Sequence, residues 1–268
     1  MKTFKSIIIL FLIFIINLNT YNFCYAEKMK VLFIGNSFTH MNNFTEMVST
    51  LADYTMDTII TDKSAFDSYT LEKHSSNEET INKIKLGCWN YVVLQEQSQR
   101  PVMDSTTFYN KTLFYAKYLD SLIHSYNPDA RTLLFMTWGR KFGDNSLCKQ
   151  YPLCCTYSGM QDLLIKRYNL LGCKLAVPVI PCGIAWKYFQ EEHYINLYDA
   201  DNKHPNVTGS YLNACMFYST LLKKSPEGIK YNPANISDDE LYLIQHRAYI
   251  TSRLFLPCLF TEDCSFPD

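Results

Sequence analysis

The sequence predicts an α/β fold: a parallel sheet with helices covering both faces. Three observations predict it. Short β-rich apolar runs alternate along the chain with longer stretches of helical spacing. Of the 268 residues, 47% are hydrophobic and 15% aromatic, enough for a sizeable core. No internal repeat, low-complexity tract or linker breaks the alternation, so residues 27–268 read as one domain.

Residues 1–26 are set aside as a secretory signal. Lys2 and Lys5 precede the apolar run Ile7 to Ile16, and Cys24-Tyr25-Ala26 offers a small-residue cleavage site. The run is short for a bilayer span, and no Leu-Ala-Gly-Cys-like box precedes Cys24. A secreted or periplasmic protein is expected, without stable membrane insertion after the signal is removed. Losing two lysines and no acids moves the formal charge from −1 to −3. Such a chain has no basic surplus to neutralise phosphates, so nucleic acid is not an expected partner.

Met29 to Ile34 reads as a buried strand, followed by helical spacing from Asn43 to Tyr54. Asp57 to Thr61 is a short second strand, Ser64 to Ser76 a polar loop, and Glu78 to Ile84 a helix. Tyr91 to Leu94 is a third strand. Ser105 to Tyr126 is a long amphipathic helix that stops before Asn127-Pro128. Arg131 to Met136 forms a fourth strand that opens into Thr137-Trp138-Gly139-Arg140. Lys141 to Leu153 is a loop, a candidate lid. A helix over Thr156 to Leu171, a fifth strand over Lys174 to Ile180 and a short helix over Gly183 to Glu192 follow. Pro205 suits the first turn of a helix running to about Leu222, and acidic residues open a last helix from Ser237 to Leu254.

Ten cysteines suit an oxidising compartment. With Cys24 removed, nine remain, and the odd number leaves at least one thiol free or paired between chains. Cys148 with Cys154 or Cys155, and Cys258 with Cys264, are candidate staples; Cys173, Cys182 and Cys215 sit in apolar segments and read as buried thiols. No His/Cys cluster has zinc spacing, and neither a metal nor a cofactor is expected. Of the Asn-x-Ser/Thr sequons, the one at Asn206 lies so close to His204 that it is expected to be unused.

The candidate chemistry starts where the first strand ends, at Gly35-Asn36-Ser37. There a hydroxyl would sit at the carboxyl edge of the sheet, where open α/β folds bind ligands. Alone, such a serine is more readily a turn residue or a helix cap than a nucleophile. Asp201-Asn202-Lys203-His204-Pro205, near the other end of the chain, supplies a base and an orienting acid three residues apart. Asp199 is a rival acid. The combination predicts a serine esterase.

In these motifs the chain resembles the SGNH/GDSL hydrolase superfamily, which carries Gly-Asp-Ser or Gly-Asn-Ser after the first strand and Asp-x-x-His before the last helix. It is most similar to a secreted bacterial branch whose third block reads Leu-Gln-Glu-Gln-Ser, here Leu94 to Ser98. The resemblance covers residues 30 to 225. It implies a flavodoxin-like, three-layer α/β/α fold with a parallel sheet of about five strands. It further implies Ser37 as nucleophile, His204 as general base and Asp201 as its partner. In the family the oxyanion is held by the nucleophile's own N–H, a glycine N–H after the second strand and an Asn side chain after the third. This sequence has no glycine between Ser64 and His74, which leaves the Ser68 N–H as the nearest equivalent. Gln95 and Gln97 stand where the Asn would be; Gln97 matches by register, while Gln95 is preferred as first after the strand.

Further candidates are Asn36, His74, Trp138 and Arg140 as substrate contacts, with Trp186 beside them. Each has a plain alternative: His74 as a surface or capping residue, the tryptophans as core, Arg140 in a surface ion pair. Glu96 could hold a partner donor or face solvent. The resulting expectation is a secreted esterase acting on small acyl groups, such as O-acetyl on a glycan. The alternatives are a lipid or thioester acyl hydrolase, or a non-catalytic binding protein of the same fold.

Overall fold

The computed structural model describes residues 28–192 and 195–255. The proposed signal segment and the Cys258–Cys264 pair lie outside them. Five strands form one parallel sheet in the order β2-β1-β3-β4-β5: β1 Met29–Gly35, β2 Ile59–Ala65, β3 Tyr91–Leu94, β4 Arg131–Phe135 and β5 Val179–Ile180. The order reverses at β1, which pairs with β2 on one side and β3 on the other. This is where an open α/β sheet leaves a crevice at its carboxyl edge.

The apolar run of β1 is buried on both faces, as a central parallel strand must be. Val31 and Phe33 enter one core, and Leu32 and Ile34 enter the other. The first core lies under helices α2 (Phe44–Asp53), α8 (Cys182–Glu192), α9 (Val207–Leu222) and α10 (Asp238–Phe255). The second lies under α3 (Leu71–His74), α4 (Glu78–Lys85), α5 (Phe114–Tyr126) and α7 (Tyr157–Leu175). The architecture is therefore a three-layer α/β/α sandwich. Two short helices, α1 (Ser37–His40) and α6 (Asn145–Cys148), lie directly after β1 and in the loop beyond β4, and add Phe38 to the first core and Leu147 to the second. Among the described residues no helix is long and apolar enough to cross a membrane.

Four boundaries differ from the sequence reading, each for a physical reason. Strand β2 starts later and runs to Ala65, because it pairs with the whole of β1; its polar residues Asp62 and Lys63 are tolerated at an edge, where they meet Lys83 and Glu46. The Ser64–Ser76 stretch is only partly loop, since Thr70 caps α3 within it. Strand β5 shrinks to two residues because α7 continues to Leu175 and ends at Ala176 in the left-handed region. Pro205 lies just before α9, which is capped by the Asn206 side chain. The Ser105–Tyr126 segment is helical throughout but holds a π-helical turn at Phe108–Leu113.

Of the two pairings open to Cys148, the structure forms the one with Cys155. Cys154 is a buried free thiol. Cys182 and Cys215 are buried thiols as expected, whereas Cys173 is disulfide-bonded and not free.

Candidate active site

Gly35 ends β1 because no side chain fits there. A Cβ at this position would collide with the Thr39 hydroxyl and lie 2.6 Å from Gln95 Oε1. The chain then turns into α1, whose first residue is Ser37 and whose cap is Asn36. Asn36 Oδ1 accepts from the Phe38 N–H at 3.1 Å, and Asn36 Nδ2 donates to the Tyr69 carbonyl at 3.0 Å. The carboxamide of this candidate substrate contact shapes the turn and tethers the second-strand loop, and Asn36 also lines the site cavity, with one Nδ2 hydrogen left over. As the first residue of a helix, Ser37 has an N–H with no intrahelical acceptor.

The peptide group between Gly35 and Asn36 is clamped from both sides by buried side chains. Gln95 Oε1 accepts from the Asn36 N–H and the Thr39 hydroxyl, each at 2.9 Å, while Gln95 Nε2 donates to the Glu96 carbonyl at 2.6 Å. Gln95 is fully buried and does not line the site cavity. It is therefore not the oxyanion donor that its place after β3 suggested. Its register carries it under the turn and not into the cleft.

His74 is corrected in the same way. Its ring is fully buried, with Nε2 2.7 Å from the Gly35 carbonyl and Nδ1 2.8 Å from Thr80 Oγ1. A carbonyl can only accept, so Nε2 carries the proton and the neutral ring accepts at Nδ1. Burial, partly offset by the bond to Gly35, holds its pKa down to about 4. Glu96 does not face solvent; it is buried and accepts from the Leu71 and Gln97 N–H groups at 3.2 and 2.7 Å. Burial pushes its carboxyl up to about 7 against those two donors and nearby Arg100.

Asp201 and His204 are brought to Ser37 by the loop before α9. The Asn206 N–H donates to the Leu197 carbonyl and the Asp199 N–H to the His204 carbonyl, closing the loop on itself. His204 Nε2 lies 2.8 Å from Ser37 Oγ, and His204 Nδ1 lies 2.5 Å from Asp201 Oδ2. Asp201 Oδ1 also accepts from the N–H groups of Lys203 and His204. Partial burial raises the Asp201 pKa, but these hydrogen bonds from His204 and Lys203 outweigh it and bring the carboxyl to about 2. Asp199 accepts from the Ala200 N–H and does not take this place.

Trp138 does not meet solvent. It is stacked between Phe38, at 4.7 Å, and Trp186, at 3.9 Å, and donates to the Lys203 carbonyl. The Phe38 and His204 rings meet in a T-shaped arrangement with centroids 5.3 Å apart. Both tryptophans thus support the loop from below. Asn42 adds a strut that the sequence did not announce, donating to the Pro205 carbonyl and Ser210 Oγ at 2.8 and 2.9 Å.

A cavity of about 590 Å3 opens above Ser37 and His204, bounded by Ser68, Gln97, Arg140 and Lys203 among others. Ser68 is held in the left-handed region at φ 59°, the conformation a glycine would adopt more readily. Gln97 Nε2 donates to Gln99 at 3.0 Å, which leaves its second hydrogen for the cavity. Arg140 reaches the cavity while paired with the buried Asp144 at 3.0 Å. Most of the lining residues are of polar type, and Phe38, Met41 and Ala200 are the apolar ones among them.

No protein-family profile matches the chain, and no curated protein does. Solved structures do. A DUF4886 family protein from Bacteroides uniformis superposes with a TM-score of 0.74 at 16% identity, over 85% of this chain and 96% of that one. A protein from Slackia heliotrinireducens, provisionally assigned as an SGNH hydrolase, gives 0.58 at 23% identity over 72% and 99% of the two chains. An acetyl xylan esterase from Geobacillus stearothermophilus gives 0.50 at 15% identity over 76% and 96%. The chain shares its fold with these proteins.

Proposed function

We propose that this protein is a secreted serine esterase that removes small acyl groups, O-acetyl above all, from glycans. One observation carries the reading: the continuous hydrogen-bonded series Ser37 Oγ, His204, Asp201 at the carboxyl edge of β1. Ser37 Oγ attacks the ester carbonyl and forms the new C–O bond while His204 Nε2 takes its proton. The tetrahedral intermediate collapses, the bond to the alcohol breaks, and the alcohol leaves with that proton. Water then repeats the sequence on the acyl-enzyme, releasing acetate. Asp201, strongly acidic, stays charged and stabilises the imidazolium. The developing oxyanion is held by the Ser37 and Ser68 N–H groups and the Gln97 carboxamide, each donor contributing about 3 kcal/mol in such sites.

The three apolar residues of the lining stand among polar ones, and this supports a short acyl group on a hydrophilic alcohol over a lipid chain, which needs an extended apolar channel. The esterase among the structural neighbours is consistent with this choice of substrate. A fluorophosphonate probe is expected to label the wild-type protein but not Ser37→Ala, and acetate release from p-nitrophenyl acetate should exceed that of longer acyl esters. Folded wild-type protein that takes no label would leave a non-catalytic binding protein as the better description.

A further inference from the structure

We infer, on the hydrolase reading above, that a second cavity beside the Ser37 site is a saccharide subsite, and that Phe142 is its stacking platform. This cavity, of about 410 Å3, shares Arg140, Asp201 and Lys203 with the Ser37 cavity and continues past them to Phe142, Asn145 and Asn202. An alcohol group leaving the acyl carbon therefore has a bounded path along which its next sugar unit lies.

Phe142 is 69% exposed, more than any other aromatic side chain among the described residues. A single exposed aromatic on a loose loop would need no explanation. This loop is fastened at every turn. The Lys141 N–H donates to the Asn202 carbonyl, and the Gly143 N–H donates to the Arg140 carbonyl. Gly143, at φ +77°, packs so tightly on the Cys155 backbone that no side chain fits. Buried Asp144 pairs with Arg140 and accepts from Gln99 and Ser146, and the Cys148–Cys155 disulfide closes the segment. Such a loop holds the ring in water without relaxing onto the core.

The surroundings fit a sugar and not an acyl chain. Lys141 Nζ lies 5.8 Å from the ring centroid and is itself held by Asn196, which backs one side of the ring. The ring, exposed over most of its surface, can meet the apolar C–H face of a pyranose. The Asn145 and Asn202 carboxamides and the Lys203 ammonium line the same cavity and can bond the hydroxyls around that face. Among the residues lining this cavity Phe142 carries the one hydrocarbon side chain, too little for an extended acyl chain.

The test compares acetylated xylotriose with an acetylated single-ring methyl xyloside and with p-nitrophenyl acetate. The wild-type kcat/KM is expected to be higher on the trisaccharide than on the single ring. Phe142→Ala should lower the ratio of trisaccharide to p-nitrophenyl acetate kcat/KM about threefold to tenfold, as loss of one ring contact would. Phe142→Trp should keep most of that ratio and Phe142→Leu should not. No gain with chain length in the wild type, or an unchanged ratio in Phe142→Ala, would overturn the subsite. Calorimetric titration of Ser37→Ala with xylotriose separates the two claims. Binding that Phe142→Ala weakens supports the subsite even if no ester is cleaved, and absent binding overturns it even if p-nitrophenyl acetate is hydrolysed.

Discussion

Gln95 shows how a residue can matter to a nucleophile that it never touches. Its carbonyl oxygen carries two donors from the turn before and after Ser37, and no water reaches it. Replacing it with Leu leaves the buried Asn36 N–H without an acceptor, a loss of about 1–3 kcal/mol in stability. If its role is to position Ser37, Gln95→Leu should also lower kcat about 10- to 100-fold with little change in KM. Counting active sites by fluorophosphonate titration makes the distinction: an unchanged kcat per labelled site would reduce Gln95 to a packing residue. His74 grips the carbonyl of the same peptide group. Neither role was legible in sequence, because a polar residue after a strand looks alike whether its register aims it into the cleft or beneath it.

At the scale of elements, the loop beyond β4 is the part furthest from its sequence expectation. Read as a loop and a candidate lid, it contains α6, a buried aspartate and a disulfide. The ring closed by Cys148 and Cys155 is small, and removing the pair as Cys148→Ser/Cys155→Ser should cost about 2 kcal/mol. For a chain of this size that corresponds to a fall of roughly 4–8 °C in Tm by calorimetry, since about 1 kcal/mol shifts Tm by 2–4 °C. A shift below one degree would show that the loop is held by its hydrogen bonds alone. Asn206 illustrates the opposite case. Its side chain caps α9 by accepting from the Gly209 N–H and donates to the Asn196 carbonyl, so this residue close to His204 ties the loop to the helix it precedes.

For the molecule as a whole, two buried groups near β1 pull stability in opposite directions with pH. His74 titrates near 6.5 when unfolded and about 4 when folded, so between these values the unfolded chain holds the extra proton and stability drops as pH falls. Glu96 titrates near 4.5 when unfolded and about 7 when folded, so the folded chain holds the extra proton and stability drops as pH rises from 4.5 to 7. Over the shared window the two slopes oppose one another. Urea unfolding across this range should therefore show His74→Gln losing stability as pH rises and Glu96→Gln gaining it, with wild type flatter than either. Parallel profiles for all three would refute the assignment.

The sequence by itself determined the alternation of strand and helix, and with it the parallel sheet and its layers. Hydrophobic periodicity is a local property, and the strands of a parallel sheet declare themselves by continuous apolar runs such as Val31 to Ile34. It also marked Ser37, Asp201 and His204, because a reactive constellation needs particular residue types at particular ends of elements. Only the tertiary structure decided what surrounds them. Whether Gln95, His74, Trp138 and Glu96 face a cleft or a core depends on strand register and on how far each loop travels. Those are fixed by contacts between segments 25 to 65 residues apart in the chain, and no local pattern encodes them.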